Sequence, residues 1–161
     1  MKKLTLIFIA FLGFCTVSFG QDFSFDDLLR LRSSPFPSFE TAVHDKGYNI
    51  DRLDNENNCV VFRKRNQQIS RCQAMDKDMS SHCHASVKYT INSREEYERI
   101  KSEVEAKTTY IKTKMKECSS LQYVVNIYSN DQVVVHLYDI ACGYNCQPYY
   151  KIEIFSIYSG Y

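Results

Sequence analysis

Between Ser93 and Tyr138 the spacing of apolar residues changes from helical to alternating. Tyr97, Ile100 and Val104 recur at helical spacing with Arg, Lys and Glu on the other faces, which predicts an amphipathic helix. Ser93 and Glu96 are placed to form a capping box at its start. From Leu121 the period is two: Leu121, Tyr123, Val125 and Ile127 alternate with Gln122 and Asn126. Ser129-Asn130-Asp131 reads as a turn, after which Val133, Val135 and Leu137 alternate again.

The rest of the chain is punctuated in the same way. Ser24 is a candidate N-cap for a short helix over residues 24–32, with Phe25, Leu28 and Leu29 as its apolar stripe. Pro35 and Pro37 break the chain, and a second short helix is expected over 38–46, closed by Gly47. Strands are expected over 48–53, 59–65, 69–73, 83–91, 108–115 and 149–158, with a bulge or burial on both faces near Phe155. The expected fold is α+β: an antiparallel sheet with helices packed on one face. If odd positions of consecutive strands share a face, Tyr123, Val125, Ile127, Val133, Val135 and Leu137 meet the helices, joined by Ile152 and Ile154. The opposite face then carries Val124, Tyr128, Val134, His136, Tyr138, Phe155 and Ile157.

The first twenty residues change the picture of where the chain works. Lys2 and Lys3 precede a short apolar run, and Ser18-Phe19-Gly20 places small residues at a signal-peptidase site. Cleavage before Gln21 is expected, leaving residues 21–161 as a single disulfide-stapled domain, secreted or periplasmic. Without Lys2 and Lys3 the chain carries 18 basic and 19 acidic residues, so its overall charge offers no pull toward nucleic acid or anionic lipid. No nucleic-acid or membrane partner is expected after signal cleavage.

Cys15 leaves with the signal, and six cysteines remain, an even number in an oxidising compartment. Six cysteines allow fifteen connectivities. Pairing across short loops gives Cys72–Cys83 and Cys142–Cys146 and leaves Cys59 with Cys118, the alternative being that Cys118 joins the Cys142 loop. A zinc site from His82-Cys83-His84 with the Cys142 loop is disfavoured, because alternation sends His82 and His84 to one side and Cys83 to the other. No cofactor is expected.

Arg63-Lys64-Arg65 with Arg71 is the one basic cluster, read either as protection of a sheet edge or as an anion site. His44, His82, His84 and His136 could serve a hydrolase, but none stands in a nucleophile motif. Asp26-Asp27 and Glu95-Glu96 are accounted for by helix N-termini. The twelve tyrosines, set against no tryptophan, gather toward the C-terminus, as suits an interface or a half-buried sheet.

Residues 39–62 read helix, Gly-Tyr, strand, acidic turn, strand; residues 97–127 read helix, Tyr110, strand, polar turn, strand. Halves 21–91 and 92–161 are therefore candidate copies of one unit. This layout resembles the small exported bacterial α+β proteins built from helix-then-strands units. In topology it also resembles the β-lactamase-inhibitor-protein type of sandwich, whose sheet face meets a partner. That resemblance implies a binding module and lends no residues. The expected function is an exported protein-binding module of inhibitor or immunity type, with a small hydrolase or an envelope structural protein as alternatives. Its candidate binding residues are Tyr128, Val134, His136 and Tyr138, with another protein or a homodimer mate as partner.

Overall fold

The computed structural model describes residues 22–73, 86–118, 121–140 and 149–157. The expected leader, the His82-Cys83-His84 cluster and the Cys142–Cys146 loop lie outside these residues. The described elements run α1 (Phe25–Ser33), α2 (Phe36–Asp45), β1 (Asn49–Asp54), β2 (Cys59–Lys64), β3 (Gln67–Cys72), β4 (Ser86–Ile91), α3 (Arg94–Lys107), β5 (Thr109–Cys118), β6 (Leu121–Ser129), β7 (Val133–Ile140) and β8 (Tyr149–Ser156). Among the described residues no helix is long and apolar enough to cross a membrane.

The strands form one antiparallel sheet in the order β1-β2-β3-β4-β8-β7-β6-β5. Each half is a meander, and the two meet where β4 pairs with β8. The order mirrors itself about that seam. The likeness of the halves stops there, for the first has two helices and four six-residue strands, the second one helix and strands of eight to ten residues.

Local chemistry sets the helix ends. Ser24 makes the full capping box: its hydroxyl accepts from the Asp27 amide, and Asp27 accepts from the Ser24 amide. The box expected at Ser93 is half made. Ser93 caps the Glu96 amide at 3.2 Å, but the Glu96 carboxylate turns inward to Tyr89 and Gln67. Gly47, at φ 83°, ends α2 in the left-handed region where a side chain would be strained.

The three helices cover one face, as expected. Phe25, Leu28, Leu31, Phe39, Val43, Ile100 and Val104 pack on Phe62, Ile69, Val87, Tyr89, Leu137, Ile152 and Ile154 in one buried cluster. Tyr97 stacks on Tyr150 with ring centroids 4.5 Å apart. The helix layer is centred on the seam, where α1 touches both β4 and β8. The β5 wing reaches beyond it, leaving Tyr110, Ile111 and Met115 about half exposed or more on the outermost strand.

Strand β6 departs from the expected facing. Ser129 pairs with Val134, so four residues separate the last partners and odd positions of β6 face even positions of β7. Asn130 fixes that turn, its Oδ1 accepting from the Gln132 and Val133 amides at 2.9 and 3.0 Å. Tyr123, Val125 and Ile127 consequently lie away from the helices, while Val124 and Tyr128 lie on the helix side. The expectations for β7 and β8 hold: Val133, Val135, Leu137, Ile152 and Ile154 belong to the helix-side core. Strand β8 is buried on both faces around Glu153 and pairs without a bulge.

The disulfide pairing is also corrected. Cys59 bonds to Cys72, its direct cross-strand neighbour on β2 and β3, which rules out both Cys72–Cys83 and Cys59–Cys118. A two-residue turn, Arg65-Asn66, with Arg65 at φ 53°, sets the register that brings them together.

Candidate functional site

The face away from the helices is neither bare nor uniformly polar. Val125, Ile127, Tyr138 and Ile140 form a second, smaller buried cluster, with Tyr123, Val134 and Tyr149 packed around it. His136 and Phe155 lie edge-to-face beside it, centroids 4.8 Å apart. Alternation along β6, β7 and β8 delivers these side chains to one side, and the register places them as cross-strand neighbours.

A carboxylate sits at the centre. Glu153 is buried, and its Oε2 accepts a 2.8 Å hydrogen bond from the Tyr138 hydroxyl. Lys88 and Lys151 approach the same carboxylate at 3.3 and 3.4 Å. Burial alone would raise the Glu153 carboxyl, but Lys151 and Lys88, with the Tyr138 hydrogen bond, hold it below the usual carboxylate range. The Lys151 ammonium also lies 3.8 Å from the centroid of the Tyr138 ring. Burial lowers the Lys151 ammonium below its ordinary value.

His136 Nδ1 lies 3.4 Å from the Tyr138 hydroxyl. Burial lowers the imidazole's affinity for a second proton; Glu153 opposes this, while Lys116, Lys114 and Lys151 reinforce it. The ring is therefore neutral near pH 7. Among the described residues Tyr138 is its one side-chain hydrogen-bond partner, so no serine or cysteine nucleophile meets it.

Strand β5 finishes the face. Lys112, Lys114 and Lys116 stand opposite Ile127, Val125 and Tyr123, so all three project on the same side as the tyrosine cluster. All three are exposed. With Lys88 and Lys151, which flank Glu153, they put five lysines on one face of the sheet. Patterning on a single edge strand was visible in the sequence as Lys-x-Lys-x-Lys, but only the register ties it to the tyrosines.

The candidate residues divide accordingly. Val134, His136 and Tyr138 come together on this face. Tyr128 does not: it is buried on the helix side, where its hydroxyl donates to Glu105 at 2.8 Å. Burial pushes its phenol up to about 12, with Glu105 adding to the shift. The basic cluster is also dispersed. Arg63 pairs with Asp51 at 3.0 Å, Lys64 pairs with Asp22, and Arg65 occupies the β2–β3 turn. Since β1 flanks β2, the cluster does not guard a sheet edge.

A polar network that sequence patterning did not reveal lies under the helices. The Tyr48 hydroxyl is within 3.3 Å of Asp22, Gln67 and Tyr89. Glu96 accepts from Tyr89 at 2.7 Å and from Gln67 at 2.8 Å. Burial raises the Glu96 carboxyl, against the lowering effect of the Tyr89 hydrogen bond. Each member has a partner within the network, which ties α3 and the N-terminal segment to the sheet rather than offering groups to a ligand.

No family model, curated protein or solved structure matches this chain.

Proposed function

We propose that the chain is an exported protein-binding module whose lysine-ringed, tyrosine-lined sheet face docks an acidic protein. One observation carries the reading: Lys112, Lys114 and Lys116 line up on one side of an edge strand, beside the Tyr123–Tyr138 cluster and opposite the helices. The part-exposed groups around the buried cluster, Tyr123, Val134, His136 and Phe155, supply contact area, and lysines with long apolar stems supply orientation and on-rate. A symmetric homodimer through this face would set lysine against lysine, so a partner of opposite charge is favoured over a second copy. Inhibitor or immunity-type action fits such a partner.

The test is capture of envelope proteins at several salt concentrations by the chain beginning at Gln21, in parallel with a K112E/K114E/K116E variant. The reading expects an acidic protein to be held directly, with affinity that falls as salt rises. The variant should melt like the parent and lose the partner. Capture that ignores both salt and charge reversal, or a stable dimer that buries this face, would refute it.

A further inference from the structure

A second site lies on the helix side, at the end of the sheet where β1 turns into β2. A pocket of about 190 Å³ is lined there by Phe36, Leu53, Asn55, Asn58, Val60 and Arg71, with Asp54, Cys59 and Gln73 completing the wall. It is well below the roughly 300 Å³ at which drug-sized pockets begin, so it takes one residue-sized group.

Arg71 is its chemical centre. The residue faces the helices because it pairs with Val60 and Val87, and its guanidinium carbon lies 5.6 Å from the centroid of the Phe39 ring. Its Nη1 is buried without a hydrogen-bond partner, and among the described residues no carboxylate forms an ion pair with it. Two other cations of this stretch each have an acid: Asp51 for Arg63 and Asp22 for Lys64. Asp54 lines the same pocket, but its two oxygens are occupied by the Asn57 amide at 3.1 Å and the Asn57 side chain at 2.9 Å. A guanidinium remains charged at any physiological pH, and burying it unpaired is costly unless an anion arrives.

We infer that this pocket binds a small organic monocarboxylate carrying one apolar group, with Arg71 as its anchor. The planar fork of arginine matches a carboxylate in two parallel hydrogen bonds. Asn55 and Asn58 add uncharged donors, and Phe36, Leu53 and Val60 give an apolar lodging for the rest of the ligand. One cation balances one negative charge, and the nearby Asp54 disfavours a dianion such as phosphate. A free acid and the C-terminal carboxylate of a peptide share this chemistry.

The test uses amide spectra of the ¹⁵N-labelled chain beginning at Gln21. The probes are N-acetyl-leucine, N-acetyl-leucinamide, inorganic phosphate, and one leucine-terminated peptide with a free or an amidated C-terminus. The inference expects saturable shifts at Asn55, Asn58, Val60 and the Arg71 Nε–H with N-acetyl-leucine, and none with its amide. R71Q should weaken binding about tenfold or more, and R71K should recover only part of it. Tighter binding of the free-ended peptide than of N-acetyl-leucine names a peptide terminus as the source; equal binding names a free acid. No saturable shift in the millimolar range, equal response to acid and amide, or tighter binding of phosphate would overturn the inference. The acid-against-amide comparison on the parent chain decides the matter even if R71Q does not fold.

Discussion

The Tyr138 hydroxyl donates to Glu153 across the β7–β8 pair at 2.8 Å, and this bond joins the tyrosine cluster to the two lysines that flank the carboxylate. Removing the charge while keeping the shape isolates what it contributes. E153Q leaves Lys88 and Lys151 facing each other without a counter-charge and should cost about 3 kcal/mol in urea unfolding. Y138F keeps the ring and loses only the hydroxyl, so about 1 kcal/mol is expected.

Because the Glu153 carboxyl is held below its unfolded value, its contribution is present above the ordinary glutamate range. It is lost as pH falls through the lowered folded value. The parent chain should therefore lose more stability between neutral pH and strong acid than E153Q does, measured as the difference in urea midpoints along a pH series.

His136 is a half-buried imidazole. Its imidazole is depressed in the fold, so the unfolded chain takes up the proton first as pH falls. Stability should decline as pH drops below about 6.5 and level off once the folded-state value is passed. Ring-proton shifts followed against pH should give a midpoint below that of a free histidine. K114E/K116E should move the midpoint up, because those two ammonium groups oppose protonation.

The bond between Cys59 and Cys72 closes a short stretch with a sequence separation of 13. Replacing both by alanine should cost about 2–3 kcal/mol in the chain-entropy account. Non-reducing peptide mapping should return these two cysteines in one linked pair. A peptide linking Cys72 to Cys83 would contradict the register of β2 and β3.

Tyr128 and Tyr138 share a residue type and differ in what surrounds them. Y128A removes a buried ring between Glu105 and the Tyr110 edge, and should cost about 3–4 kcal/mol with no direct effect on a partner. Lys-to-Glu changes on β5 should do the reverse, leaving the melting temperature within a few degrees while abolishing capture of an acidic protein.

The elements were legible because each carries its own period and punctuation. Tyr97, Ile100 and Val104 do face the core, and the Gly47 end of α2 falls where glycine demands it. What alternation cannot give is the parity between neighbouring strands. That depends on whether a turn holds an odd or even number of residues, and the Asn130 side-chain bonds decide it between β6 and β7. Tyr128 and Ile127 exchanged faces for that reason alone. The same kind of detail misdirected the cysteines: centring the β2–β3 turn on Arg65 and Asn66 places Cys59 beside Cys72, whereas a longer turn separates them. The Tyr48–Tyr89–Glu96 network left no pattern, since its members come from the link before β1, from β4 and from α3 and meet only in the folded core.

The seam between β4 and β8 makes the last strand the keystone of the sheet. Until β8 has been made, β4 has no neighbour on its second side and β7 has none either. Helix α1 rests partly on Ile152 and Ile154, which are made long after it. A chain in which β8 has not yet formed therefore lacks residues that complete its core. The same arrangement makes the C-terminal residues intolerant of loss, because a chain cut before Tyr149 is two unjoined meanders with exposed edges, prone to find each other in neighbouring molecules.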